Sequence, residues 1–106
     1  MSAGAEKTAT GDVGSPPVMA RRVATICNQR GLHARAAARF VKTAGQFDAE
    51  VVVRKNGTEV SGRSIMGLMM LAAAPGTVIE LAATGRQAEA AVTALSKLIE
   101  CKFDEE

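Results

Sequence analysis

The residues able to do chemistry in this chain gather around one histidine. His33 is the single histidine of the sequence and lies in Gly31-Leu32-His33-Ala34-Arg35. A glycine turn precedes it. Apolar residues at 37, 40, 41 and 44 follow it, the i, i+3, i+4, i+7 spacing of an amphipathic helix. His33 is therefore expected at or just before the first helical turn. The first amides of a helix have no acceptor inside it, and with the helix dipole they favour an anion such as phosphate. A neutral imidazole is a nucleophile at physiological pH. Arg35, two residues on, offers a charged fork to phosphoryl oxygens. Together these suggest a histidine that accepts a phosphoryl group. A surface histidine that caps a helix fits the same residues equally well.

A second stretch carries two further signals. Ser64 stands directly before Ile65-Met66-Gly67-Leu68-Met69-Met70-Leu71, where a serine is a good N-cap. Most such serines do nothing else. An exposed serine there also admits a kinase, because the helix dipole tolerates a phosphate at that end. The run is more apolar than one buried stripe requires. Leu68 and Leu71 suit the core. Ile65, Met66 and Met69 are expected to face solvent as a docking patch, and methionine adapts to several partners. Deeper burial of the whole helix is the alternative.

The rest of the chain must position these groups. Its 106 residues are enough for one domain with a modest core. Hydrophobic residues make up 47% of it but only three are aromatic, all Phe, so Ala, Val, Leu, Ile and Met must fill the interior. A net charge of +2 is too small to argue for nucleic acid. Cys27 and Cys101 form no CxxC pair and have no second histidine to complete a metal site; reduced thiols of a cytoplasmic protein are the simplest account, with a disulfide left open. No apolar run approaches a membrane span, and the N-terminus lacks the features of a signal peptide. Residues 1–18, rich in Gly, Ser, Ala, Thr and Pro, are expected to be a disordered leader, with residues 19–106 forming the domain.

Pattern and punctuation set the order of elements. Arg21 to Cys27 reads as a first strand, with Ala24 and Ile26 inward and Arg22 and Thr25 outward or at an edge. The His33 helix runs to about Gly45, a plausible C′ residue. Two strand-like runs flank Asn56-Gly57, the clearest hairpin signal in the chain. The short helix after Ser64 ends before Pro75-Gly76. Thr77 to Ala83 reads as a fourth strand. Gln87 to Cys101 reads as a long helix, its Ala88, Ala91, Val92, Leu95, Leu98 and Ile99 at helical spacing. The order β-α-β-β-α-β-α implies an α+β layer fold, three helices covering one face of a four-stranded sheet.

Gly-Leu-His-Ala-Arg at 31–35 and Arg-Ser-Ile-Met-Gly-Leu at 63–68 together resemble HPr, the histidine-containing phosphocarrier family of the bacterial phosphoenolpyruvate-dependent phosphotransferase system. The resemblance spans about Val23 to Phe103. It implies an open-faced β-sandwich with an antiparallel sheet in the order 1-4-2-3. It implies that His33 is phosphorylated on Nδ1 by Enzyme I, that Arg35 stabilises the phosphoryl group, and that the amides of Ala34 and Arg35 cradle it. Ser64 matches the serine modified by HPr kinase/phosphorylase, and Ile65, Met66 and Met69 match the docking positions. The expected acceptors are EIIA-type proteins, and the carrier is expected to be a monomer without cofactor, metal or membrane insertion. The family pattern usually has proline where this chain has Ala36. Alanine is the best helix former but lacks the preset φ of proline, so a slightly looser active loop is expected. Two other classes remain. One is a binding module regulated at Ser64. The other is a hydrolase using His33 as base, which is short of an evident Asp or Glu partner.

Overall fold

The computed structural model describes residues 19–105; the expected leader, residues 1–18, lies outside them. Four strands, β1 (Met19–Thr25), β2 (Glu50–Lys55), β3 (Thr58–Ser61) and β4 (Val78–Thr84), form one antiparallel sheet in the order β1-β4-β2-β3. Helices α1 (Ala34–Ala44), α2 (Ile65–Met70) and α3 (Ala88–Glu100) intervene. The expected order of elements and of strands is the observed one. The hairpin turns at Asn56 and Gly57, both at positive φ (50° and 83°), the requirement of a type I′ turn and the reason for Asn-Gly.

The core is as poor in aromatics as the composition demands. Phe40 of α1 and Phe103 are its largest fully buried side chains, packed with Ile26, Val51, Val53, Leu68, Ile79, Leu81, Leu95 and Ile99. The apolar stripe of α3 is buried at Ala88, Ala91, Val92, Leu95 and Ile99, and Leu98 packs at its margin. The other face of the sheet stays open because charges cross it. Arg21 pairs with Glu80, Glu80 with Arg54, and Arg54 with Glu59, one residue from each strand.

Two local expectations need correction. The first strand begins and ends two residues earlier than its β-branched content suggested. Arg22 lies at an edge, one of its two expected placements, because β1 is an outer strand of the sheet, and alternation puts it on the same side as Ala20 and Ala24. Its long stem runs along α3, and its Nη2 reaches Glu89 Oε2 and Thr93 Oγ1, each at 3.4 Å. Gly45 closes α1, but in the right-handed conformation, φ −69°, so the freedom of glycine is not used there. Cys27 and Cys101 are both free thiols.

The chain after α3 bends back through a single left-handed turn. Lys102, Phe103 and Asp104 have φ of 57°, 56° and 60°, a conformation that costs a non-glycine residue roughly 1–2 kcal/mol. Such strain persists where the surroundings over-determine it. Here Phe103 is fully buried, Asp104 N–H donates to Cys101 O and Glu105 N–H to Lys102 O, and Asp104 lies 3.7 Å from Arg39 of α1. The turn delivers Glu105 to the loop that precedes α1.

Candidate functional site

The loop before α1 is set by a glycine and an asparagine. Gly31 has φ +66°, and a Cβ there would stand 2.4 Å from Ala73 O, so only glycine lets the two loops approach this closely. Leu32 N–H donates to Ala73 O at 2.9 Å, tying the His33 loop to the segment after α2. Asn28 is fully buried. Its Nδ2 donates to Gly31 O at 2.8 Å and to Glu105 Oε1 at 3.1 Å.

His33 is the N-cap of α1, with extended backbone (φ −81°, ψ −177°) and no side-chain capping bond. The helix ladder starts with Ala37 N–H donating to His33 O at 2.8 Å. The amides of Ala34, Arg35 and Ala36 lie ahead of that bond, in the stretch where a helix leaves donors unspent. The imidazole is neither packed away nor free. Its side chain is 23% exposed, and Nε2 is hydrogen-bonded to Glu105 Oε2. Burial by itself would raise the Glu105 carboxyl. The hydrogen bonds it accepts from Asn28 and His33, with the charges of His33 and Arg30, overcome that and hold it below the usual carboxylate value.

Arg35 is exposed on the first turn of α1. It lines a cleft of about 350 Å³ with Gln29, Arg30, His33, Arg39, Asp104 and Glu105. Three arginines and two carboxylates therefore share the cleft with the histidine, Glu105 bonded to its ring and Asp104 beside Arg39. Nothing in the periodicity of the sequence foretold Glu105 or Asn28. The acidic end of the chain was visible, but the turn that folds it back was not. The shortage of a carboxylate noted for His33 is thus overturned by a residue 72 positions away.

Ser64 caps α2, its Oγ accepting Gly67 N–H at 2.9 Å. It is half-buried rather than exposed, and Gly67 lies so close to it that a Cβ there would stand 3.0 Å from Ser64 Oγ and 3.2 Å from Val60 Cβ. Leu68 and Leu71 are buried, while Ile65, Met66 and Met69 are exposed. Met70 is 78% exposed and extends the patch beyond the three expected residues. The far end of α2 is held by Lys55 Nζ, which donates to Leu71 O and Ala72 O at 2.8 and 3.3 Å. A smaller cleft lined by Arg30, Leu32, His33 and Ala72 to Ala74 joins this end of α2 to the histidine. The structure thus brings His33, Arg35 and the segment following α2 to one side of the molecule.

The four-stranded sheet in this order, with a partly exposed histidine at an uncapped helix start, is the arrangement that the resemblance to the phosphocarriers implied. Comparison with known proteins agrees. Residues 20–101 match the family model "PTS HPr component phosphorylation site". The phosphocarrier protein HPr of Neisseria meningitidis serogroup A is 53% identical over 87 residues, covering 82% of this chain and 98% of its own length. The phosphocarrier protein NPr of Shewanella violacea is 43% identical over 84 residues, covering 79% and 92%. The crystal structure of HPr-C-His from Thermoanaerobacter tengcongensis superposes with a TM-score of 0.79 at 45% identity, covering 82% of this chain and 98% of that one. The chain belongs to the HPr family of phosphotransferase-system phosphocarriers.

Proposed function

We propose that His33 is the residue that carries the phosphoryl group, taken from phosphorylated Enzyme I and passed to an EIIA-type protein. The observation that carries this reading is the position of the single histidine: N-cap of α1, without a capping bond and partly open to solvent. The amides of Ala34 and Arg35 receive the phosphoryl oxygens, and the Arg35 guanidinium adds charge from the solvent side. The protein needs no cofactor for this, since transfer of this kind is mostly positioning and charge stabilisation. The partner supplies the rest of the transfer site, docking on Ile65, Met66 and Met69, with Met70 beside them. Ser64 is a regulatory phosphorylation site for an HPr kinase/phosphorylase. Its hydroxyl already accepts Gly67 N–H, and a phosphoserine oxygen keeps that bond while adding negative charge to the docking patch. The protein works in the cytoplasm as a monomer.

The test is labelling by Enzyme I and phosphoenolpyruvate. The wild type takes up acid-labile, alkali-stable phosphate and His33→Ala takes up none. Equal labelling of the two proteins would refute the assignment.

A further inference from the structure

We infer that Glu105 is a positioning residue for phosphoryl transfer: it fixes the ring tautomer of His33 so that Nδ1 is the nucleophile. This rests on the proposal that His33 is the acceptor and adds what prepares it. The two carboxylate oxygens have separate donors. Oε1 takes Asn28 Nδ2–H at 3.1 Å and Oε2 faces His33 Nε2. An ionised carboxylate can only accept, so the Nε2 that faces Glu105 carries a proton, and whenever the ring is neutral the lone pair is left on Nδ1. Among the described residues Nδ1 has no hydrogen-bond partner, whereas Nε2 has one. A carboxylate on the far nitrogen setting the reactive one is a recurrent use of histidine.

The placement of Glu105 is built rather than incidental. Asn28 is fully buried and ties Glu105 to the same glycine turn that sets His33. Phe103 is fully buried two residues before Glu105, at the centre of the left-handed turn. Glu105 itself has a side chain only 15% exposed. The other charged groups lining the cleft are Arg30, Arg35, Arg39 and Asp104, and Asp104 lies against Arg39.

In the transfer, the Nδ1 lone pair forms the N–P bond as the donor's bond to phosphorus breaks, and the leaving electron pair stays with the donor. The proton on Nε2 does not move. The ring therefore gains positive charge as the bond forms, and that charge appears beside the Glu105 carboxylate, as an imidazolium is held by its carboxylate in a catalytic triad. Asn28 keeps the carboxylate from following the ring.

The experiment is Enzyme I kinetics with the full chain, together with ¹⁵N NMR of the His33 ring. Glu105→Ala and Glu105→Gln, the second keeping the bulk without the charge, each lower kcat for phosphorylation about tenfold. KM stays within about twofold, because docking is untouched. In Glu105→Ala the ring nitrogens leave the single Nε2–H pattern of the wild type for a mixture of tautomers, while the amide spectrum stays folded. Unchanged ring signals and kcat in Glu105→Ala would overturn the inference. His33→Ala in the same assay separates the two readings. If it is still labelled, the carrier assignment falls. If it is silent and Glu105→Ala behaves as wild type, only the role of Glu105 falls.

Discussion

Two helices of this protein start in the same way and use the start differently. Ser64 enters α2 in an extended conformation and spends its side chain on the helix, accepting Gly67 N–H. His33 enters α1 in an extended conformation and spends nothing on it. Its ring turns instead to Glu105. A satisfied N-cap stabilises a helix; an unsatisfied one leaves donors and dipole for a guest anion. The contrast separates a helix end built for stability from one held open for chemistry. The neighbours follow suit. The start of α2 packs closely on Val60 through Gly67, while the start of α1 faces a cleft lined by three arginines.

Three substitutions sharpen that contrast beyond those at His33 and Glu105. The largest effect is expected at Gly31. Alanine there meets Ala73 O and must hold φ +66°, so Gly31→Ala costs about 3 kcal/mol, read from urea unfolding. It also separates the His33 loop from the segment after α2, which lowers phosphorylation of the protein that stays folded. If stability is unchanged, the open start of α1 does not depend on this approach of two loops. Ser64→Ala is next. Loss of the cap costs about 1 kcal/mol, with the rate of His33 labelling unchanged, because the cap serves α2 alone. A fall in labelling rate as large as the fall in stability would erase the distinction between the two helix ends. The smallest effect is expected at Ala36, which is fully buried in the first turn of α1. Proline suits a first turn and restricts the unfolded chain, so Ala36→Pro adds about 0.5 kcal/mol, seen as a rise of a few degrees in Tm. It removes the third of the leading amides and keeps those of Ala34 and Arg35. Unchanged labelling then limits the cradle to two amides, whereas a marked loss brings the third into it.

Much of this was legible because it is local. Helical spacing after His33, the Asn56-Gly57 turn and the serine before an apolar run each rest on a few consecutive residues, and the structure keeps all three. Alternation was a weaker guide at the sheet edge. Arg22 counts as polar, which suits an outward or an edge position alike; it sits on the edge strand, on the side of Ala20 and Ala24, with its guanidinium reaching Glu89 and Thr93 of α3. Composition likewise understated Met70, which the apolar run gave no reason to separate from its neighbours.

The sequence by itself determined the helix start at His33, the order of the elements and the surplus apolar surface of α2, because periodicity and turn chemistry act over a few residues. Only the tertiary structure decided what the imidazole touches. Glu105 and Asn28 lie 77 residues apart and meet because buried Phe103 anchors a left-handed turn that local propensity disfavours. Contacts of that kind are set by how the layers pack, and no stretch of the chain encodes them alone.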